Sequence, residues 1–162
     1  MRLLAIRNQV LAVLCVTVAT VSACGGGGAD VCTGVVTEAL DPASGQHVTA
    51  GTEVVYLTDP PTSGPHAAVP IPAGIRSDSL HPTLQVGVLE TGRVLVQFRD
   101  LTDDEIAELE DLVASDVVIA PNDTLPATIV ATAWQHRLDC TAVDVDALQR
   151  FATEFNGANV NH

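Results

Sequence analysis

Two stretches of the chain repeat apolar side chains at the 3.6-residue period that predicts an amphipathic helix. In the first, Thr102 is a candidate N-cap and Glu105 follows three residues later, which is the pattern of a capping box. The predicted helix covers about 103–114, and its acidic first turn suits the positive end of the helix dipole. Its apolar stripe consists of Ile106, Leu109, Leu112 and Val113.

The second predicted helix covers about 145–156 and starts near Asp144. Gly157 is placed to end it, because glycine adopts the left-handed conformation that closes many helices. Its apolar face consists of Leu148, Phe151, Ala152 and Phe155.

Between and before these helices, β-branched and alternating apolar residues predict strands. A hairpin is predicted over Leu84 to Phe98, turning at Thr91-Gly92, with apolar residues alternating on both sides of the turn. The other predicted strands are Val35 to Thr37, Thr52 to Leu57, Val117 to Ala120 and Ala127 to Trp134. Strands dominate the first half and helices the second, so we expect one α+β domain with a mostly antiparallel sheet and two main helices.

The N-terminal residues have the composition of a bacterial lipoprotein signal. Arg2 and Arg7 form a basic head, Val10 to Val21 is an apolar run, and small residues lead to Cys24. The apolar run is shorter than the ~20 residues that a membrane span requires, but it fits a signal peptide. The alternatives are an uncleaved membrane helix and a buried core helix. We expect cleavage before Cys24 and lipidation of Cys24, with acyl chains as the membrane anchor.

This interpretation divides the chain into three parts. Residues 1–23 are the predicted signal, residues 24–34 are the lipidated cysteine and a flexible Gly-rich tether, and residues 35–162 are the domain. Because Arg2 and Arg7 would leave with the signal, the formal net charge of −13 would become −15. Such a charge disfavours nucleic acid, whose phosphates require cationic partners. It also disfavours anionic lipid heads, so the lipid itself must hold the protein at the membrane.

The cysteines agree with an extracytoplasmic location. Cys15 would be lost with the signal and Cys24 lipidated, which leaves Cys32 and Cys140. Outside the cytoplasm two remaining thiols usually pair, so we expect a disulfide between them. Redox catalysis or metal binding is the alternative, but the chain has no Cys-x-x-Cys pair.

The block Asp59-Pro60-Pro61-Thr62-Ser63-Gly64-Pro65-His66 resembles the signature of the bacterial family catalogued as domain of unknown function 3105. Shorter matches occur in the family's order over about 45–157. They are Gln46-His47-Val48, Leu89-Glu90-Thr91-Gly92 in place of the family's Leu-Glu-His-Gly, Ala131-Thr132-Ala133-Trp134, and Phe151. The resemblance implies no established activity.

The resemblance does imply a metal site, because family members share a His-x-x-x-His spacing besides the histidine that ends the proline block. Several imidazoles that converge on one point would suit zinc or copper. This chain has Gly87 and Thr91 at the two spaced positions, so only His66 of that trio is present. The candidate ligands are therefore His66, His47, His81 and Glu90. The alternative is that His66 only satisfies backbone groups of a loop whose prolines lack N–H donors.

Three functions follow from these features. The first is a lipid-anchored, non-enzymatic binding or accessory module of the cell envelope, and this is the one we favour. The second is a transition-metal-binding protein with a degenerate histidine site. The third is a hydrolase that uses Ser63, for which the chain offers no Gly-x-Ser-x-Gly elbow.

Overall fold

The computed structural model describes residues 30–158 and residue 160. The predicted signal, Cys24 and the glycine run lie outside these residues. The described part contains six strands, three α-helices and one 3₁₀ helix. The strands are β1 (Val36–Thr37), β2 (Gly74–Ile75), β3 (Leu95–Phe98), β4 (Val118–Pro121), β5 (Ile129–Ala133) and β6 (His136–Cys140); the helices are α1 (Pro82–Glu90), α2 (Asp103–Glu108), the 3₁₀ helix (Leu109–Ser115) and α3 (Val145–Phe155).

The strands form one sheet in the order β1-β6-β5-β3-β4-β2. The pairs β1/β6, β6/β5 and β5/β3 are antiparallel, whereas β3/β4 and β4/β2 are parallel. The fold is therefore α+β, as expected, but its sheet is mixed and not purely antiparallel. The two parallel pairings exist because helices lie between the strands concerned, and such crossovers return the chain in the same direction.

Alternation along the strands gives the sheet two buried faces. We call the first the apolar face; α2, the 3₁₀ helix and α3 cover it. Its buried side chains are Val94, Val96, Phe98, Leu109, Leu112, Val117, Ile119, Ile129, Ala131, Ala133, Leu138, Cys140, Leu148, Phe151 and Ala152. The opposite face is lined by α1, and its apolar residues are Leu80, Val86, Val88, Leu89, Leu95, Val118, Ala120 and Trp134.

Both predicted helices are present. The Thr102 hydroxyl accepts from the Glu105 N–H at 3.3 Å, and the Glu105 carboxylate accepts from the Thr102 N–H at 2.8 Å, which completes the capping box. The predicted helix over 103–114 is α-helical only as far as Glu108, and its second half is the 3₁₀ helix Leu109–Ser115. The Asp144 carboxylate caps α3 by accepting from the Ala147 N–H at 2.9 Å. Gly157 follows α3 with a φ of 78°, in the left-handed region.

The predicted hairpin over Leu84 to Phe98 is wrong in its first half, because Pro82–Glu90 forms helix α1. The residues of α1 from Gln85 to Leu89 are all buried. A helix that is buried on every side has no polar stripe, so its sequence lacks the amphipathic signal. Pro82 at the first helical position was the available indication of a helix start.

The segment Thr52 to Leu57, predicted as a strand, also lies outside the sheet. Its side chains do alternate in burial, since Tyr56 is half-buried while Val55 is 98% exposed. The Tyr56 ring lies beside Gly64 of the proline block, and its hydroxyl donates to the Pro65 carbonyl at 2.6 Å. Alternation of apolar and polar residues therefore indicates an extended segment with one buried side, and such a segment need not pair with another strand.

A disulfide joins Cys32 and Cys140, as predicted. It ties the segment before β1 to the end of β6 across a sequence separation of 108 residues. In residues 30–158 and 160, no helix combines the length and the apolar character needed to cross a membrane.

Candidate functional site

The proline block is part of the interior. Every residue from Pro60 to Ala67 is buried, and His66 is 0% exposed. Backbone N–H groups at the end of the block form hydrogen bonds to neighbouring segments. The His66 N–H donates to the Gln46 carbonyl at 2.9 Å, and the Ala67 N–H donates to the Thr83 carbonyl of α1 at 2.9 Å. The block is thereby held against helix α1.

Gly64 makes the tight path of this block feasible. Its φ is 127°, which only glycine adopts without strain. A Cβ at this position would lie 2.9 Å from the Tyr56 ring. The turn at Gly64 brings its carbonyl within 3.2 Å of His66 Nδ1. Because a carbonyl oxygen only accepts, Nδ1 carries a proton, and in the neutral form of the ring Nε2 is then an acceptor.

His66 Nε2 faces Glu90, the last residue of α1. The distance from Nε2 to Glu90 Oε2 is 3.8 Å, which is too long for a hydrogen bond. Within the part of the chain that the structure describes, Nε2 has no hydrogen-bond partner. A buried polar atom without a partner is uncommon and points to a site that meets something besides its own fold.

His66 and Glu90 line a cavity of about 340 Å³ at the C-terminal end of α1. Its remaining lining is Ala68, Val69, Pro70, Ile71, Gly87, Val88, Thr91 and Arg93. Gly87 permits the close approach of the loop to the helix, because a Cβ there would lie 2.5 Å from the Ala67 carbonyl oxygen. The cavity is therefore a cleft between α1 and the loop that follows the proline block.

Arg93 is the cationic side chain at this cavity. Its guanidinium donates to the Ile71 carbonyl at 2.6 Å, and it pairs with the Asp116 carboxylate at 3.1 Å. These contacts hold the loop near Asp116, which caps the C-terminus of the 3₁₀ helix just before β4, and they direct the charge of Arg93 towards the Asp116 carboxylate. Sequence reasoning missed Arg93 and the apolar loop residues, because only the tertiary fold brings them beside His66.

The other two predicted ligands lie in different places. The His47 ring stands edge-on to the His66 ring with 4.9 Å between centroids, and His47 is exposed. His81 precedes α1, and its Nδ1 accepts from the Thr83 N–H at 3.3 Å. His81 and Glu90 are thus at opposite ends of α1, about 13 Å apart at 1.5 Å per residue.

Two of the candidate ligands, His47 and Glu90, therefore lie beside His66. His81 lies apart from them, and its Nε2 is 3.9 Å from the carboxylate of the exposed Glu53. Across residues 30–158 and 160, no group of three or more His, Cys, Asp or Glu side chains is arranged to hold a metal ion.

Ser63 is buried, and its hydroxyl oxygen accepts a hydrogen bond from the backbone N–H of Asp41 at 2.9 Å. A backbone N–H is not a general base and cannot activate a hydroxyl nucleophile. This contact makes Ser63 a structural residue that anchors the segment around Asp41 to the proline block.

A larger cavity of about 440 Å³ lies between the Asp30–Val35 segment and α3. It borders the first described residue. Its charged lining residues are Asp30, Asp144, Arg150 and Glu154, and the Asp144 carboxylate caps α3. The buried side-chain atoms without partners in the described chain include none from this lining. We therefore take the smaller cavity, which contains His66 Nε2, as the candidate site.

The structure thus defines a small α+β domain built around a buried Pro-Pro-Thr-Ser-Gly-Pro-His block. The chain belongs to the family described as "Protein of unknown function (DUF3105)", whose model matches residues 47–161. This match confirms the resemblance seen in the sequence and includes every residue that lines the candidate site. No curated protein and no solved structure matches the chain.

Proposed function

We propose that this protein is a lipid-anchored, extracytoplasmic binding module of the bacterial cell envelope. The sequence up to Cys24 supports the anchor, and the disulfide supports an oxidising compartment. The first disulfide cysteine, Cys32, is only eight residues beyond Cys24. The bond therefore fixes the domain end of the tether to the sheet, close to the membrane.

The anchor is tested by metabolic labelling with an alkyne analogue of palmitate in a bacterial host. We expect label on the wild-type protein and none on Cys24→Ser. Cys15→Ser is the matched control, since Cys15 lies in the signal and should leave labelling intact. Label on Cys24→Ser, or its loss from Cys15→Ser, would contradict the proposed anchor.

The binding role is supported by one observation above the others: His66 Nε2, which has no hydrogen-bond partner among the described residues, lines a cleft of about 340 Å³. This volume is near the lower end of the range for small-molecule sites. A non-enzymatic role agrees with the contacts of Ser63, whose hydroxyl receives a backbone N–H. Calorimetric titration of the full chain with small butyl compounds, compared between wild type and Glu90→Gln, tests the binding role directly.

A second candidate function is transition-metal binding, favoured by the approach of His66 Nε2 and Glu90 Oε2 to 3.8 Å. Two ligands of a tetrahedral zinc ion lie about 3.4 Å apart, given metal–ligand bonds of ~2.0–2.1 Å. A small movement of Glu90 would reach this separation. The pair alone falls short of the three protein ligands of a typical catalytic zinc site, and Gly87 and Thr91 add no imidazole.

Elemental analysis of the untagged full chain distinguishes this candidate. About one equivalent of zinc or copper in the wild type, lost in His66→Ala and retained in His81→Ala, would establish a site at His66. Absence of both metals from the wild type, after growth with added zinc and copper, would overturn metal binding. Neither result affects the labelling at Cys24.

A further inference from the structure

The cleft beside His66 has a chemistry that selects its ligand. We propose that it binds a small alkylammonium ion, whose charged head lies between His66 and Glu90 and whose alkyl chain lies on the loop. The inference rests on the proposed binding role and names its ligand class. Three observations support it: the hydrogen-bond acceptors, the apolar wall, and the pairing of Arg93.

Apart from Arg93, the polar side chains that line the cleft are acceptors. His66 Nδ1 donates to the Gly64 carbonyl, so in the neutral form of the ring Nε2 presents a lone pair. The Glu90 carboxylate, which is 28% exposed, lies 3.8 Å from it. The Thr91 hydroxyl donates its hydrogen to the Val88 carbonyl at 2.7 Å, so its oxygen can only accept further bonds. A ligand that forms hydrogen bonds to these groups must be a donor.

A primary ammonium group has three N–H donors on one nitrogen. Two acceptors that it bridges at about 2.8 Å lie about 4.6 Å apart when the angle is tetrahedral. The observed 3.8 Å separation requires the Glu90 carboxylate to move outward by under 1 Å. Its partial exposure leaves room for this movement, whereas the buried His66 ring stays fixed by Gly64.

The rest of the cleft lining is mainly apolar. Val69, Pro70 and Ile71 of the loop and Val88 of α1 belong to it, and burial of methylene groups against such side chains is favourable. The lining therefore favours an ammonium ion with a short alkyl chain over the unsubstituted ammonium ion. The volume of about 340 Å³ suits a small ligand.

The charges of the site favour a cation over an anion. Glu90 would repel a carboxylate held at the same place. Arg93 could attract one, but its guanidinium is already paired with the Asp116 carboxylate and donates to the Ile71 carbonyl. The formal net charge of −13 adds a long-range field that concentrates cations at the surface.

Isothermal titration calorimetry of the full chain in non-ionic detergent tests the inference with n-butylammonium as the probe. Butyrate and 1-butanol are matched in size and differ in charge. We expect n-butylammonium to bind most tightly, and Glu90→Gln to weaken it at least about tenfold, since the ammonium would then face a neutral amide instead of a carboxylate.

Glu53→Gln is the matched control variant. Glu53 is also a glutamate beside a histidine, 3.9 Å from His81 Nε2, but its side chain is 98% exposed and lies away from the cleft. It should leave binding unchanged. Because Glu90 is partly exposed, Glu90→Gln should fold normally, which circular dichroism checks.

The outcomes separate the inference from the proposed function. Equal binding of n-butylammonium to wild type and Glu90→Gln, or tighter binding of butyrate, overturns the ligand class. Binding of 1-butanol alone overturns the ligand class but keeps a small-molecule site. If no butyl compound binds while Cys24 is still labelled, the inference fails and the anchor stands.

Discussion

The two faces of the sheet are built differently, and the difference separates stability from function. The apolar face is covered by helices with ordinary amphipathic stripes, and its core cluster contains only apolar side chains. The other face, which we call the polar face, is covered by α1 and the proline block, and buried polar groups such as Gln97, Thr132 and His66 lie on this side. The candidate site is found only there.

Strand β3 shows the contrast within four residues. Val96 and Phe98 point to the apolar face, whereas Leu95 and Gln97 point to the polar face. Both polar atoms of the Gln97 side chain, Nε2 and Oε1, are buried and have no hydrogen-bond partner among the described residues. Buried polar groups without partners lower the free energy of unfolding. The apolar packing on the other face must therefore contribute more of the stability.

The strongest test of this division is truncation of the apolar face. Phe151→Ala should lower the free energy of unfolding by about 3–5 kcal/mol, because the ring is 2% exposed and its removal leaves a cavity. Val55→Ala, at a side chain 98% exposed, should change it by less than about 0.5 kcal/mol. Urea denaturation measures both. A loss below about 1 kcal/mol for Phe151→Ala would break the comparison.

The disulfide belongs to the same face, since Cys140 is part of its core. Replacing Cys32 and Cys140 together by alanine should cost about 2–4 kcal/mol, because the bond restricts a long loop in the unfolded chain. Reduction of the wild type with dithiothreitol should lower the urea midpoint similarly. An unchanged midpoint after complete reduction would show that the disulfide does not contribute to the stability of the domain.

The apolar face is also the part that the sequence predicted well. The capping box at Thr102 and the stripe through Leu148 and Phe151 are local patterns, and local patterns are enough for an amphipathic helix at the surface. The polar face was predicted poorly for a physical reason. Helix α1 is buried all round, so Val86 and Val88 resemble a strand as much as a helix.

For the candidate site, the sequence singled out residues but not their arrangement. His66 and Glu90 were both candidates, and the structure places His66 Nε2 3.8 Å from Glu90 Oε2. The sequence placed Glu90 in a hairpin and gave no means to separate His81, which lies at the other end of α1. The position of His66 relative to Glu90 depends on the close approach of Ala67 to Gly87. These two residues are 20 positions apart in the chain, so no local sequence pattern predicts their contact.

Gly87 tests how tightly the polar face is packed. Gly87→Ala should destabilise by about 1–3 kcal/mol, because its Cβ would meet the Ala67 carbonyl oxygen at 2.5 Å and force the loop outward. The higher helix propensity of alanine offsets this by at most about 1 kcal/mol. Gly34→Ala is the control, since a Cβ there meets nothing within 4 Å. Stabilisation by Gly87→Ala would mean that the loop is loosely held.

Gln97 tests the energetic cost of the polar face. Gln97→Leu should raise the free energy of unfolding by about 1 kcal/mol, because it removes two buried polar atoms that lack partners. Thr132→Val, in the neighbouring strand, should lower it by about 0.5–1 kcal/mol, because the Thr132 hydroxyl donates to the Leu95 carbonyl. Chemical denaturation should therefore give opposite signs. Destabilisation by Gln97→Leu would show that the amide contributes to the fold.

An effect confined to high pH concerns Tyr56, whose hydroxyl anchors the proline block over the polar face by donating to the Pro65 carbonyl. Burial raises the pKa of Tyr56 to about 12, and the nearby Asp41 carboxylate adds to the rise. In the unfolded chain the phenol titrates near 10. The raised pKa favours the protonated form in the folded state, so its contribution to stability is complete below about pH 10 and is lost as the pH rises to about 12.

Phenolate absorbance follows this titration directly, because Tyr56 is the only tyrosine in the chain. Asp41→Asn should lower the midpoint without returning it to 10, since burial is the larger cause. Tyr56→Phe should remove this contribution to the fall in stability between pH 10 and 12. A wild-type midpoint near 10 would mean that water reaches the phenol freely. The loops over the polar face would then be open in solution, and the buried environment of His66 would have to be reconsidered.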